Sequence, residues 1–481
     1  TAIGIKSESQ TLGYAVSNVK GDEITKTQTA DAMSSLQGKV AGVNISSSSG
    51  QPTASTKVIL RGYSSVTGNN QPLYVVDGTP ILNDVNSQAD DLNNQVDFGN
   101  GANAINPANI ESINILKGAA ATALYGSRAA NGVIMITTKS GADTDKLKVD
   151  VNSSASFNEP FRLPQLQNVF GQGWSGEWAS NENGSWGPRM NGEMKTWGNV
   201  VDNSRLIKPF EAQQGNMRDF YDVGQTYQNN ISISGGNESS NFRLSYGNLN
   251  SDGFIPTDSD SYNRHTISMK GATSANNISA SASVNYIKRD ASAVAAGQGG
   301  NGATLFQDIM QIPRDLSIVD MSDYQNKFYN VNNYYTPYAQ NPYFIINENG
   351  NTMNDDRIYG NVELSYNFMD NLSLNWRLGT DVSNNQIKTW NAIADPADNG
   401  PRSSMQPVVG SVMEQTNHNR EVNSDVTLNY NQDLSESFTL NAIAGWNVNE
   451  RYMKRETGSV TNLDIPEYYD LSNSSQTPNV G

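Results

Sequence analysis

The 481-residue chain contains no cysteine and only two histidines, and these absences remove several kinds of site. Without cysteine it can form neither a disulfide nor a thiolate metal site nor a cysteine nucleophile. His265 and His418 are too few and too far apart for a recognisable catalytic triad or zinc site, and each is expected to be an ordinary strand or loop residue. The sequence therefore predicts no enzyme, no metal site and no cofactor.

Basic clusters and long apolar runs are also missing. The formal net charge is -16, which argues against a nucleic-acid partner because phosphate binding requires clustered Lys and Arg. No run of about 18 apolar residues is present to form a membrane-spanning helix. Spanning strands need only alternating apolar residues, so a membrane barrel is compatible with this composition.

Beyond residue 146 the sequence alternates apolar and polar residues. Val362, Leu364, Tyr366 and Phe368 share one face of a predicted strand, while polar residues occupy the other. The charged residues of such strands fall almost entirely in the polar phase: Asp150, Arg243, Lys270, Glu363, Arg377, Asp381 and Asp425. A strand of a soluble sandwich alternates in the same way, so the period alone does not distinguish it from a membrane strand.

The lengths of the connections separate these two structures better. The predicted strands lie near residues 147–157, 229–236, 241–250, 262–272, 278–288, 357–368, 372–383, 420–431 and 438–450. Short connections alternate with long ones at 158–228, 289–356 and 384–419, and only 251–261 is intermediate. This asymmetry is typical of outer-membrane barrels, whose periplasmic turns are short. Aromatic residues near the strand ends would form part of the inner girdle: Tyr366, Phe368, Tyr430 and Phe438.

Four blocks of the N-terminal region carry a resemblance to a known family. They read LQGKVAGVNI at 36–45, ILRGYSS at 59–65, PLYVVDGTPI at 72–81 and NPANIESINILKGAAATALYGSRAANGVIMITTK at 106–139. In order and spacing they resemble the plug domain of SusC/RagA-type TonB-dependent outer-membrane transporters. The short β-branched runs at 57–60, 73–76 and 133–138 are predicted strands, and 119–125 a helical turn.

The resemblance implies an α+β plug domain, residues 1–143, inside the lumen of an all-β membrane barrel. Residues 144–481 would form the N-terminal part of that barrel, with long extracellular loops. Plugged barrels of this kind close with roughly 22 strands, and an open edge in lipid leaves backbone groups unpaired. We therefore expect a partial barrel of about nine antiparallel strands. Thr1–Ile5 resembles the stretch just after the TonB-coupling segment of the family, so that segment is expected upstream of Thr1.

Several plug residues have both a structural and a functional interpretation. Arg61 and Arg128 either satisfy carboxylates or carbonyls where plug and wall meet, or belong to a switch released during transport. Asp77 and Gly78 form a turn or contact a ligand. The full candidate set for structural or switch roles is Arg61, Gly62, Asp77, Gly78, Lys117, Tyr125, Gly126, Arg128, Asn131 and Gly132.

Two further patterns are weaker. The acid-rich loop with Asp84, Asp90, Asp91 and Asp97 is interpreted as solvated, or as a calcium loop without EF-hand spacing. Glycines at 297, 299 and 302 spell GxGxxG, but no strand precedes them, which argues against a nucleotide site.

Aromatic residues cluster in the long loops. One loop holds Trp174, Trp178, Trp186 and Trp197, and another holds Tyr334, Tyr335, Tyr338 and Tyr343. Three interpretations remain open: stacking on sugar rings, contact with a protein partner, and small cores that hold the loops together.

The resemblance implies TonB-dependent import of large solutes, oligosaccharides or peptides, across the outer membrane of a Gram-negative bacterium. Its implied partners are a SusD-type surface lipoprotein, TonB and outer-membrane lipid, with a SusCD dimer or a larger complex as an option. Transport would require displacement or local unfolding of the plug. The alternatives are a SusC-like structural subunit of a larger outer-membrane assembly or secretion complex, and a soluble all-β glycan-binding protein.

Overall fold

The computed structural model describes residues 16–27, 29–66, 69–88, 96–118, 122, 125–141, 146–295, 304–435 and 438–481. Four sequence-based expectations lie outside these residues. They concern Thr1–Ile5, the pair Asp90 and Asp91, most of the helical turn at 119–125, and the glycines at 297, 299 and 302.

The N-terminal unit, described residues 16–141 and called the plug below, consists of short strands and single helical turns. Its strands are β1 (Val16–Lys20), β2 (Val43–Ser47), β3 (Thr56–Leu60), β4 (Leu73–Val76), β5 (Thr79–Ile81), β6 (Val85–Gln88), β7 (Val96–Asn100), β8 (Ile110–Leu116) and β9 (Val133–Thr138). Its helical turns are Gly21–Thr25, Ser34–Leu36, Gly101–Ala104, Pro107–Asn109 and Gly126–Ala129. The three predicted β-branched runs are confirmed as β3, β4 and β9.

Five of the strands form one mixed sheet in the order β1-β8-β9-β4-β5, with β4 and β9 parallel. The remaining strands pair as two hairpins, β2 with β3 and β6 with β7. Val and Ile fill the sheet because β-branched side chains pack well on a pleated surface. Ile113, Ile115, Ile134 and Ile136 are at most 1% exposed and form the plug core with Tyr74.

Ten strands form a single antiparallel sheet, called the wall below. They are β10 (Lys148–Asn158), β13 (Gly224–Gly236), β14 (Ser240–Asp252), β15 (Ser261–Ala275), β16 (Ile278–Ser292), β17 (Gly350–Met369), β18 (Leu372–Ala394), β19 (Val408–Ser435), β20 (Phe438–Thr461) and β21 (Asn479–Val480). Each strand pairs with the next in chain order. All nine predicted strands are present, and the two-residue β21 is added to them.

The two faces of the wall have opposite chemistry. Val362, Leu364 and Trp376 point away from the plug and are 43%, 41% and 37% exposed. The other phase faces the plug and carries charged residues, among them Arg357 and Asp381, which are 2% and 0% exposed. It also carries some buried apolar residues that pack on the plug, such as Leu249 and Tyr359. A soluble sandwich would bury its apolar phase instead. Along the predicted alternating segments, the structure therefore confirms that the apolar phase lies outside and that the phase with most of the charged residues lies inside.

The row of outward apolar residues on the wall strands ends at a defined level, on the side of the long connections. On β17 it runs from Ile358 to Phe368, 11 residues, close to the roughly 9–11 residues of a tilted spanning strand. One register step above it, the outward positions of six neighbouring strands become polar: His265, Lys288, Asp356, Asn384, His418 and Lys454. A change from apolar to polar along the outer face is what a bilayer surface requires.

The expected alternation of connection lengths is present, with one correction. Short turns at 237–239, 276–277 and 370–371 lie at one end of the sheet, and the long connections lie at the other. The predicted long loop at 384–419 is wrong, because β18 continues to Ala394 and β19 begins at Val408. This upper part of the hairpin carries polar residues on both faces, so no apolar alternation reveals it in the sequence.

The two longest connections, 159–223 and 293–349, fold into elements of their own. They hold the hairpin of β11 (Met194–Val201) and β12 (Ser204–Pro209), together with helical segments Asn216–Phe220, Leu305–Met310, Val319–Met321 and Pro342–Glu348. Buried apolar side chains from both connections share one cluster, which includes Phe220, Ile309 and Leu316. Within the described part of the chain, no helix is both long and apolar enough to cross a membrane.

Candidate functional site: the contact between plug and wall

The arginine of a buried ion pair in the wall donates hydrogen bonds to two backbone carbonyls of the plug. Arg357 on β17 and Asp381 on β18 form two hydrogen bonds, Nε to Oδ1 at 2.8 Å and Nη2 to Oδ2 at 2.6 Å. The same guanidinium donates to the carbonyls of Gly101 at 2.7 Å and Leu82 at 2.8 Å. The amide of Leu82 donates to Asp381 at 2.8 Å. Charge-assisted hydrogen bonds of this type are the strong ones, and here they join plug to wall.

Two more buried arginines extend this contact along the wall. Arg264 on β15 donates to the carbonyl of Asn103 at 2.6 Å. Arg289 on β16 pairs with Asp355 at 2.7 Å and reaches the carbonyl of Asn100 at 3.5 Å. Arg264, Arg289 and Arg357, called the arginine row, are each at most 2% exposed. Three consecutive strands thus hold the plug backbone at 100–103.

The predicted turn at Asp77 and Gly78 is bonded both to the plug and to the wall. The Asp77 carboxylate accepts from the Thr138 amide at 2.9 Å and lies 3.1 Å from Lys270 Nζ of the wall. Gly78 has φ +84°, and a Cβ there would collide with the guanidinium of Arg377. Only glycine fits this position without strain, because the backbone is left-handed, and any other residue would also have to displace the Arg377 guanidinium.

The two plug arginines named from the sequence lie in different surroundings. Arg128 reaches the wall, where Nη1 lies 3.0 Å from Oε1 of Glu421. Arg61 is exposed and has a left-handed backbone with φ +60°. Its guanidinium lies beside Gly118, where an added Cβ would be 3.0 Å from Nη1. Lys117 lies in the same region and donates to the carbonyl of Ala41 at 2.6 Å. Partial burial, and then the charge of Arg61, lower the pKa of Lys117.

The other plug candidates occupy turns. Gly62, Gly126 and Gly132 have φ of +94°, +68° and +95°. At Gly132 a Cβ would also meet Leu60 Cδ1 at 2.6 Å, which leaves room only for glycine. Asn131 bridges two loops, because its Nδ2 donates to Asn69 at 2.6 Å and its Oδ1 accepts from Ser64 at 2.6 Å. Tyr125 borders a cavity of about 710 Å³ between the plug and strands β19 and β20.

The described acids of the acid-rich loop have protein partners. Asp97 accepts from the Ser55 amide at 2.9 Å and the Gly99 amide at 2.8 Å. Asp84 pairs with Arg451 of β20. In the part of the chain that the structure describes, no group of three or more His, Asp or Glu side chains is placed to hold a metal ion.

The loop aromatics divide into buried and exposed sets. Trp197, Tyr334 and Tyr335 are 6%, 0% and 2% exposed and belong to the shared loop core. Trp174 and Trp186 are 64% and 59% exposed. Trp178 is half-buried, with Lys195 Nζ 5.7 Å from its ring centre. The buried set therefore holds the loops together, and the exposed tryptophans are accessible to a ligand or partner.

Two charged residues of the loop core were not identified from the sequence. Arg402, in the connection between β18 and β19, is fully buried and donates to the carbonyls of Thr336 at 2.8 Å, Val331 at 2.7 Å and Ala339 at 2.7 Å. Asp308 lies nearby and accepts from the Gln340 amide at 3.1 Å. Burial raises the pKa of Asp308 to about 7.

The arginine row was also missed. Its signal in the sequence is parity: Arg357 lies in the same phase of β17 as Glu363, so it had to face the same side of the wall. The sequence does not show that these arginines bind backbone carbonyls of the plug, because every residue carries a carbonyl and none is distinguished as an acceptor.

Comparisons with known proteins agree with this architecture. A family model described as the TonB-dependent receptor plug domain matches residues 8–133. The TonB-dependent receptor SusC of Bacteroides thetaiotaomicron is 31% identical over 261 residues, covering 54% of this chain and 23% of the relative. TonB-dependent receptor P39 of Formosa agariphila is 27% identical over 445 residues, covering 90% of this chain and 37% of the relative. The chain thus spans well under half the length of these relatives.

Solved structures share the fold. The RagAB peptide importer in its open-open state superposes with a TM-score of 0.70 at 19% identity, covering 100% of this chain and 53% of that chain. Its closed-closed state gives a TM-score of 0.69 at 20% identity. The fold and these similarities define a plug domain followed by part of a β-barrel of the TonB-dependent receptor class. Within that class, the chain is similar in sequence to SusC and in fold to the RagAB structures.

Proposed function

We propose that the full-length protein imports large solutes, oligosaccharides or peptides, across the outer membrane in a TonB-dependent manner. In this proposal residues 1–143 are the plug domain, and residues 144–481 are the N-terminal part of the barrel. A SusD-type lipoprotein covers the loops from outside, and TonB acts from the periplasm. The similarity to the RagAB peptide importer supports the peptide alternative, and the similarity to SusC supports the same type of transporter.

The observation that carries this proposal is the way the plug is held. It packs against the wall through hydrogen bonds, such as those from Arg357 to the carbonyls of Gly101 and Leu82, and through the Arg128–Glu421 ion pair. An apolar cluster that includes Phe98 of the plug and Leu249 of the wall adds to this contact. Hydrogen bonds and ion pairs of this kind exchange with water when the two parts separate. A barrel blocked by a releasable plug suits a transporter whose passage opens only when energy is supplied. Arg128 is then the plug residue best placed to act as a switch.

Uptake by cells tests the proposal directly. Cells that produce the full-length protein and its neighbouring lipoprotein are given fluorescent oligosaccharides of several linkages and a set of fluorescent peptides. We expect accumulation of one of the two classes, and loss of that accumulation in an isogenic strain without TonB, because the plug then stays in place.

Controls distinguish the scaffold alternative. Outer-membrane levels of the protein and of its lipoprotein are measured in both strains, so that a loss of uptake is not a loss of protein. If neither solute class enters at normal protein levels, while deletion of the protein disrupts a neighbouring outer-membrane complex, a structural subunit is indicated and import is rejected.

A further inference from the structure

The long connection 159–223 holds three large aromatic side chains in solvent. Phe170, Trp174 and Trp186, called the aromatic platform below, are 37%, 64% and 59% exposed. The ring centres of Phe170 and Trp186 are 6.1 Å apart. Trp174 follows Gly173, whose carbonyl accepts from the Trp186 amide at 3.1 Å. Single exposed apolar residues are normal on a protein, whereas a group of them marks a site of interaction.

Backbone hydrogen bonds close the loop that carries the platform on itself. Trp174 and Glu177 exchange two of them, at 3.1 and 3.0 Å, around the two residues Ser175 and Gly176. These two have φ of +53° and +82°, as a type I′ turn requires. Four more bonds of 2.8–3.1 Å cross the loop, from Met190 to Val169, Gly187 to Gly171, Gly173 to Gly184 and Gly176 to Trp186. The loop is therefore folded as a unit of its own.

Close packing fixes this loop against its surroundings. A Cβ on Gly187 would lie 2.1 Å from the carbonyl oxygen of Gln172, so the two sides of the loop meet with no room for a side chain. Gln172 is fully buried, and its amide donates to the Asp315 carboxylate at 2.7 Å. Arg314, from the other long connection, donates to Asn168 at 2.7 Å. A scaffold bonded in this way presents its exposed rings already in place, which lowers the entropic cost of binding.

The area of the platform limits what it can bind alone. Large aromatic side chains have about 150–250 Å² of surface to bury, so at these exposures the three rings offer roughly 300–400 Å². A stable protein–protein interface needs about 800 Å² from each partner. The platform is therefore too small to be such an interface by itself, and its size suits a short chain of sugar rings.

The backbone of the loop also argues against an extended peptide as the ligand. Peptide strands are recognised through unpaired backbone groups, to which they add as a further strand. In this loop the amides around the platform already donate to carbonyls of the loop itself, namely those of Gly173, Trp174, Gly176, Glu177, Trp186 and Gly187. What remains available to a ligand is side chains.

The side chains beside the rings have the chemistry that a sugar needs. Phe170 is bridged to Arg189 and Trp174 to Glu177, and residues directly opposite each other point to the same face. Arg189 and Glu177 are both exposed. A pyranose ring has C–H groups on its face and hydroxyls around its rim. It can therefore stack on an aromatic ring while its hydroxyls bond the neighbouring guanidinium and carboxylate.

We propose that the aromatic platform is an outer binding site for an oligosaccharide, with pyranose rings stacked on Trp174 and Trp186 and hydroxyls bonded to Glu177 and Arg189. This rests on the proposed import function and selects the sugar from the solute classes that it includes. The site captures the sugar at the end of the wall that carries the long connections.

Binding to the purified full-length protein tests the proposal. The probes are fluorescent oligomers of glucose, xylose, mannose and galacturonate, each in α- and β-linked forms. We expect at least one of them to bind, and the double variant Trp174→Ala with Trp186→Ala to bind it at least roughly tenfold more weakly, because two stacking faces are lost. Tyrosine at both positions keeps an aromatic face and should restore most of the affinity.

A matched control lies in the same connection. Phe161 is 93% exposed but lies outside the platform, and Phe161→Ala should leave sugar binding unchanged. An unchanged protease pattern shows that each variant is folded. Two results overturn the proposal: no sugar of the set binds the parent protein, or the double alanine variant binds as tightly as the parent. Loss of lipoprotein association in that variant, with no sugar bound by the parent, assigns the platform to a protein partner and also overturns it.

Uptake by cells separates the proposal from the import function on which it rests. Sugar binding that depends on the platform, in a protein that takes up no solute, supports the binding site and rejects import. TonB-dependent uptake of a sugar that is unchanged in the double alanine variant supports import and rejects the platform as its capture site.

Discussion

Replacing Arg357 with alanine is expected to loosen the plug segment that contains Leu82 and Gly101. The substitution leaves Asp381 charged and buried, and it removes the donor to the carbonyls of Leu82 and Gly101. Breaking a buried pair by removing one partner costs about 3–5 kcal/mol. Amides between residues 82 and 104 should then exchange roughly 150- to 5,000-fold faster in the full-length protein, as seen by deuterium uptake.

A matched control lies on the outer face of the same wall. Lys388 pairs with Glu414 at 3.1 Å above the apolar row, and the two side chains are 36% and 43% exposed. Lys388→Ala should change the stability of the protein by at most about 1 kcal/mol, because exposed pairs contribute little. The double variant Arg357→Met with Asp381→Leu separates the cost of an unpaired buried charge from the loss of the hydrogen bonds to the plug. We expect the amides at 82–104 to exchange more slowly in it than in Arg357→Ala, since no unpaired charge remains. Unchanged exchange at 82–104 in Arg357→Ala would show that the pair does not hold the plug.

The second large effect is expected in the loops. Arg402→Ala removes the only side chain of the described 395–407 connection whose bonds reach the carbonyls of Val331, Thr336 and Ala339 together. An unsatisfied buried carbonyl costs about 1–3 kcal/mol, so the loss for the three is about 3 kcal/mol or more. The segment 326–349 should then be cut by a protease at concentrations that leave the parent protein intact.

The control for this change is Arg218→Ala. Arg218 lies in the same loop assembly but is exposed, and it donates once, to Pro160 at 3.2 Å. Its removal should leave the protease pattern unchanged. Equal sensitivity of both variants would indicate that general loop mobility, rather than the Arg402 bonds, sets the cleavage rate.

The sequence predicted the architecture well because two of its signals, strand alternation and the plug blocks, can be read from short stretches of chain. Period-two alternation located all nine of the expected wall strands, since successive side chains of a strand point to opposite faces of the sheet. The four plug blocks predicted the N-terminal unit, and the Asp77–Gly78 turn is fixed by a left-handed backbone that glycine tolerates. The loss of alternation between Asn384 and Ser411 concealed the upper halves of β18 and β19.

The bonds between plug and wall could not be predicted in the same way. Asp381 was placed correctly in the inner phase, but its partner Arg357 lies 24 residues away and was not identified. The arginine row binds backbone carbonyls, and which carbonyl meets which arginine depends on how the plug is rotated within the wall. Bonds that depend on how the plug sits within the wall produce no periodic pattern in the sequence of either part.

The central claim is that alternate residues of the wall strands face lipid and an enclosed lumen. Single spin labels on β17 test it most directly, because this chain contributes no cysteine of its own and any cysteine in the rest of the protein is replaced first. In the full-length protein in lipid vesicles, labels at Val362 and Leu364 should collide with dissolved oxygen, whereas labels at Glu363 and Ser365 should be shielded from it. Reversed accessibility, or shielding of Val362 and Leu364 from both oxygen and a water-soluble nickel chelate as in a dry core, would contradict the account.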